Sequence, residues 1–86
     1  MSRYHIIIEP NAAKFMATLK MADKRRLEGA IYLLGDNPIP PKAKKLSNRE
    51  GYRVRVGNFR IIYNFRSEVL EIHVIKIGQR QGVYKN

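Results

Sequence analysis

Residues 51–66 read GYRVRVGNFRIIYNFR, and this stretch decides the fold. On both sides of Gly57 and Asn58, apolar residues alternate with polar ones at a period of two, which is typical of two strands joined by a tight turn. The pattern therefore predicts a β-hairpin with one apolar face and one basic face. Four arginines belong to the basic face: Arg53, Arg55, Arg60 and Arg66.

Further strands are predicted on either side of this hairpin. Residues 69–77 are almost continuously apolar, which favours a strand in the middle of the sheet, and Gly78 is expected to end it. Near the N-terminus, residues 4–8 are apolar and β-branched, and Glu9-Pro10 ends that first strand because proline cannot donate to a ladder. The sheet is expected to be mainly antiparallel.

Two helices are predicted between the first strand and the hairpin. The first follows Pro10 and has apolar residues at helical spacing up to Leu19. The second is expected to begin at Asp23 as its N-cap and to end near Leu34, before a connection over residues 35–41 that is rich in glycine and proline. The order predicts a single α+β domain over residues 1–86, with a helical hairpin on one face of the sheet.

Charge and composition limit the possible functions. The 86-residue chain has 17 basic and 7 acidic residues, a net charge of +10, and residues 42–86 hold +8 of it. Such a basic half predicts a polyanionic partner. Because the chain has no cysteine and only two histidines, we expect no disulfide, metal site or cofactor. Without an apolar run of membrane length or an N-terminal signal, it is expected to be cytoplasmic and without a membrane partner.

Three segments carry a resemblance to a known family: residues 51–63, residues 74–80 (VIKIGQR) and the pair Val83-Tyr84. These segments resemble the RelE branch of the RelE/ParE toxin superfamily. The order of the elements and the chain length also match that family, so the resemblance covers nearly the whole chain. The resemblance implies a toxin of a toxin–antitoxin pair that cleaves mRNA in the ribosomal A site without metal. It also implies a complex with a cognate antitoxin, RelB-like or of another family, which the charge predicts to be acidic.

The resemblance also implies site residues. The implied catalytic residues are Arg55, Arg60, Arg80 and Tyr84, and Arg53 is an implied RNA-binding residue. Independently of the resemblance, a basic cluster on and beyond the proline-rich connection suits long-range contact with ribosomal RNA. This cluster consists of Lys42, Lys44, Lys45 and Arg49.

Cleavage through the ribose 2′-hydroxyl needs a base, charge stabilisation at the phosphate and an acid. Arg55 and Arg60 are expected on neighbouring strands of one face, where they would clamp the phosphate. Arg80 is the implied acid. Many relatives have lysine at positions 53 and 55, but arginine keeps its proton in proteins and is a poor base. Proton abstraction is therefore assigned to Tyr84 or to the ribosome.

Other interpretations of the same residues stay open. The arginines also fit a solvated sheet face, the lysine cluster a solubilising loop, and Tyr84 a tail aromatic packed on the core. His73 lies in an apolar strand and is expected to be structural.

The functional alternatives are a ParE-like gyrase-inhibiting toxin, a non-catalytic basic RNA-binding module and an inactive toxin kept as a binding partner. The combination of Arg60, Arg80 and Tyr84 argues against the gyrase toxin. The expected burial of the aromatic residues argues against the RNA-binding module, because such modules stack bases on exposed aromatic rings.

Overall fold

The computed structural model describes residues 3–79 of the chain, and these form five strands and two helices. The strands are β1 (His5–Ile8), β2 (Lys44–Lys45), β3 (Tyr52–Val56), β4 (Phe59–Arg66) and β5 (Glu71–Gln79), and the helices are α1 (Pro10–Ala17) and α2 (Met21–Leu34). The predicted α+β class and the order of strand, two helices and strand meander are confirmed.

All five strands belong to one sheet in the order β1-β5-β4-β3-β2. The β1–β5 pair is parallel and the other three pairs are antiparallel. Strand β5 lies between β1 and β4, so the prediction of an interior strand is confirmed. The short edge strand β2 lies within the region predicted only as an extended connection, and it places two lysines beside β3.

The core lies between the helices and one face of the sheet. Helix α1 packs on β5 and α2 on β3. The buried residues recur at helical spacing in the helices and at every second position in most of the sheet, as the amphipathic patterns require. They are Ala12, Met16, Leu27, Ile31 and Leu34 from the helices and Val54, Phe59, Ile61, Tyr63, Ile72, Val74 and Ile77 from the sheet.

The two helices are short, and each has an identifiable boundary. Helix α1 has 8 residues with Pro10 in its first turn, and α2 has 14. At the end of α2, the Arg3 guanidinium donates to the Tyr32 carbonyl and pairs with Asp36 at 2.9 Å. This contact satisfies a C-terminal carbonyl and ties the N-terminal segment to the helix. Within residues 3–79, neither helix has the length and apolarity needed to cross a bilayer.

A bulge in β5 changes the alternation of its side chains. Ile62 pairs with Lys76 and Tyr63 with Val74, so Ile75 is an extra residue in β5. As a result, both Val74 and Ile77 are buried although they are three residues apart. The bulge keeps the core-facing side of β5 continuous and sets Lys76 on the opposite face.

Three boundary predictions are wrong. Helix α2 begins at Met21 after Lys20, which provides no side-chain cap, so Asp23 lies inside the first turn. Strand β5 begins at Glu71, because Val69 and Leu70 form the preceding turn and Leu70 has a positive φ of 53°. Gly78 does not end the strand: it pairs with Arg60, and β5 continues to Gln79.

Candidate functional site

The face of the sheet opposite the helices is lined by basic side chains. We call it the cationic face. Cross-strand partners in a sheet point to the same side, so its composition follows from the register. One row across the sheet consists of Lys44, Arg53, Ile62 and Lys76, and the next consists of Arg55, Arg60 and Gly78.

Arg55 and Arg60 are direct cross-strand partners at the centre of this face. They are held there because Val54, Phe59 and Ile61, their neighbours in β3 and β4, are buried in the core. Arg55 is exposed and Arg60 is half-buried. The expectation that these two arginines project from neighbouring strands on one face is confirmed, and the pair can meet one phosphate from two sides.

An open cleft of about 590 Å³ lies along this face at its β2–β3 edge. It is lined by Lys42, Lys44, Arg53, Arg55 and Gly57. The structure thus brings Lys42 and Lys44, two members of the predicted lysine cluster, beside Arg53 and Arg55. Apart from Gly57, all the lining residues are cationic, so the cleft is suited to a polyanion.

The cations of the cleft are not neutralised by carboxylates. Between residues 3 and 79, the ion pairs are those of Arg3 with Asp36, Arg66 with Glu68 and His73 with two glutamates. None of them involves a residue that lines the cleft, and none involves Arg60. Adjacent like charges repel one another, and a bound phosphate relieves that repulsion.

The other two members of the lysine cluster lie elsewhere. Lys45 pairs with Tyr52 in the register, and its ammonium lies 5.6 Å from the centroid of the Tyr52 ring. Successive residues of a strand point to opposite faces, so Lys45 faces away from Lys44. Arg49 is exposed in the loop before β3 and does not line the cleft. The four residues therefore do not form one patch.

The predicted acid Arg80 and the predicted base Tyr84 lie outside the described residues. Gln79 is the last described residue, and it pairs with Phe59, the neighbour of Arg60. The roles of Arg80 and Tyr84 stay predictions.

His73 bridges two carboxylates. Its Nδ1 lies 3.2 Å from Glu9 and its Nε2 lies 3.2 Å from Glu71. The hydrogen bond with Glu71, followed by that with Glu9, raises the pKa of His73. This geometry fits the predicted structural role, because the bridge joins β5 to the residue that precedes α1 and lies outside the cleft. The contact with Glu9 was not anticipated from the sequence, since Glu9 is 64 positions away.

Tyr63 is not available as a base. Its hydroxyl donates to the Pro38 carbonyl at 2.6 Å, and burial, together with the nearby Tyr52, raises the pKa of Tyr63 to about 12. Within residues 3–79, no group of three or more histidine, aspartate or glutamate side chains is arranged so that it could hold a metal ion.

Comparison with known proteins identifies the family to which the chain belongs. A family model described as the ParE toxin of type II toxin–antitoxin systems matches residues 6–84. The chain belongs to this toxin family. Within it, the chain is similar to proteins named RelE, which confirms the resemblance found in the sequence.

One relative and two solved structures illustrate the similarity. "Putative toxin RelE1" of Methanocaldococcus jannaschii is 30% identical over 98% of both chains. RelE in the archaeal RelE–RelB complex of Pyrococcus horikoshii matches with a TM-score of 0.78 and 24% identity, over 93% of this chain and 97% of that one. The toxin chain in the structure of the intact Escherichia coli RelBE complex matches with a TM-score of 0.77 and 18% identity, over 88% of this chain and 95% of that one. At these identities, the two structures support the fold.

Proposed function

We propose that this toxin is a ribosome-dependent mRNA endoribonuclease that inhibits translation. The observation that carries the proposal is the cross-strand pair of Arg55 and Arg60, without carboxylate partners between residues 3 and 79, beside a cleft lined by further cations. Phosphoryl chemistry places its charge on phosphate oxygens, and a fixed pair of guanidinium groups stabilises that charge.

The proposed reaction is an internal displacement at phosphorus. The 2′-hydroxyl loses its proton and its oxygen attacks the adjacent phosphate, while the bond from phosphorus to the 5′-oxygen breaks. The products are a 2′,3′-cyclic phosphate and a 5′-hydroxyl, which receives a proton. Arg55 and Arg60 stabilise the charge on the phosphate, Tyr84 takes the first proton and Arg80 supplies the last.

Arg53, Lys42 and Lys44 hold the RNA strand along the cleft in this proposal, and Lys45 and Arg49 contact RNA outside it. None of them reads a base. Phe59 and Tyr63 are buried, and Tyr52 and Phe65 pack against the core, so none of these aromatic rings offers a stacking platform on the cationic face. Positioning of the codon therefore falls to the ribosome.

The proposed partners follow from the charge and from the relatives. A net charge of +10 attracts polyanions without selection, which an acidic antitoxin would prevent. The two similar structures are complexes with RelB antitoxins. We propose a cognate antitoxin bound in a hetero-oligomer, and action in the cytoplasm, where ribosomes are found.

A second candidate is a ParE-like toxin that inhibits gyrase, because the matching family model is described as ParE. The arginine pair and the lysine-lined cleft favour RNA, since a gyrase inhibitor does not need a phosphate clamp. The two functions differ in their target, and this difference can be measured.

The test is controlled expression of the toxin without an antitoxin. We expect translation to stop within minutes, mRNA to acquire new 5′-hydroxyl ends inside coding sequences, and plasmid supercoiling to stay normal. The matched control is Arg60→Gln, which removes the clamp. Gyrase-linked DNA breaks with intact mRNA would assign the chain to the second candidate.

A further inference from the structure

Arg26 lies in helix α2, on the other side of the sheet from the cationic face, yet it reaches the turn between β3 and β4. A Cβ built on Gly57 would lie 2.6 Å from Nη1 of Arg26 and 3.8 Å from its Cδ and Cζ. The side chain therefore lies directly against the backbone of the turn. This packing needs a glycine, since any larger residue would displace the guanidinium.

Gly57 also lines the cleft, so Arg26 packs against one of the cleft's lining residues. Gly57 has a φ of +60°, which favours glycine, and it lines the cleft together with four cations. Arg26 is exposed, and none of the ion pairs between residues 3 and 79 involves it. A guanidinium without a carboxylate partner, at the edge of a cationic cleft, adds directly to the field that attracts a phosphate.

We propose that Arg26 is a further phosphate-binding residue, packed in the space that Gly57 leaves, and that it extends the path of the RNA strand from the cationic face around the β3–β4 turn to helix α2. This inference rests on the proposed function, because it assumes that the cleft holds RNA. The phosphate that it binds is one outside the cleft, and Arg26 takes no part in the chemical step.

A purely structural role predicts different behaviour. If Arg26 only supports the turn, its loss lowers thermal stability but leaves the dependence of RNA affinity on salt unchanged. If it binds a phosphate, its loss reduces the number of counterions released, and the log-log slope of affinity against salt becomes shallower by about 0.7 for single-stranded RNA. The slope therefore separates the two roles.

The experiment compares the parent, Arg26→Gln and Arg25→Gln. The matched control changes the same charge one residue along α2, about 100° around the helix. Affinity for a labelled oligouridylate of about twelve nucleotides is measured from about 0.05 to 0.2 M salt. We expect Arg26→Gln to bind about three- to tenfold more weakly at the lowest salt, with the shallower slope, and Arg25→Gln to match the parent. Arg26→Lys, which keeps a charge, should recover most of the slope.

The outcomes separate this inference from the proposed function. If the parent binds with a steep slope and Arg26→Gln has the same slope as Arg25→Gln, Arg26 binds no phosphate and only this inference fails. If the parent shows no salt-dependent binding, the cationic face does not hold RNA, and the proposed function fails with it. Thermal melts of each variant check that it is folded.

Discussion

Replacing Arg60 with glutamine should stabilise the fold while it removes activity. Arg60 lies directly opposite Arg55, and neither has an acidic partner between residues 3 and 79. Like charges directly opposite one another in a sheet destabilise it by about 0.2–1 kcal/mol. Glutamine keeps much of the aliphatic stem and a polar end but removes the charge, so the free energy of unfolding should rise by about that amount.

The expected shift can be converted to a melting temperature. A domain of 86 residues has an unfolding entropy of about 0.18 kcal/mol/K near its midpoint, so the gain corresponds to about 1–6 °C. The assay is thermal unfolding in low salt and again at about 1 M salt. At 1 M salt the Debye length is about 3 Å, so the repulsion between the two arginines should be screened and the parent and Arg60→Gln should melt at the same temperature. A double-mutant cycle with Arg55→Gln should give a repulsive coupling.

The matched control lies on the same strand. Arg66 is in β4 but faces Glu71 across the sheet and lies 3.8 Å from Glu68, so Arg66→Gln should lower the melting temperature slightly. The reasoning is refuted if Arg60→Gln lowers the melting temperature as Arg66→Gln does, or if the cycle gives no coupling at low salt.

Three further predictions concern single groups. Tyr84→Phe should bind ribosomes normally but slow single-turnover cleavage by about 10²–10⁴, and cleavage within a few-fold of the parent would exclude Tyr84 as the base. Contacts with Glu71 and Glu9 raise the pKa of His73, so these contacts should stabilise the fold below about pH 6.5 and lose that effect as pH rises through the raised pKa. Urea unfolding should show this pH dependence in the parent and in His5→Gln but not in His73→Gln. The raised pKa of Tyr63 predicts that the parent loses stability between about pH 10 and 12. Tyr63→Phe should abolish that loss and cost about 1–3 kcal/mol in urea unfolding; an unchanged alkaline profile would contradict this interpretation of the Tyr63–Pro38 hydrogen bond.

The sequence predicts the centre of the fold better than its edges. Alternation at a period of two around Gly57 is a strong local signal, and it places Arg55 and Arg60 on one face without further knowledge. Strand β2 gives no such signal, because its two lysines have low strand propensity and form a strand only by pairing with β3. Its register also decides that Lys44 joins the cleft and Lys45 does not.

Contacts between distant parts of the chain could not be predicted. The bulge at Ile75 changes which side chains of β5 face the core, and it is defined only by the pairing with β4. The position of Arg26 against Gly57 depends on how α2 lies across the sheet, which no local pattern reveals. Asp23 has the chemistry of a cap, but the helix begins two residues before it, after the extended backbone of Lys20.

The most direct test of the central claim uses purified toxin and ribosomes programmed with a defined mRNA and a vacant A site. The ends of the mRNA are mapped under single-turnover conditions, with free mRNA in parallel. We predict cleavage within the A-site codon that leaves a 2′,3′-cyclic phosphate and a 5′-hydroxyl, a rate about 10²–10³ lower for Arg60→Ala, and intact free mRNA. Ribosome-bound mRNA that stays intact with the toxin bound, or that is cut as fast by Arg60→Ala, would contradict the proposal that this face performs the reaction.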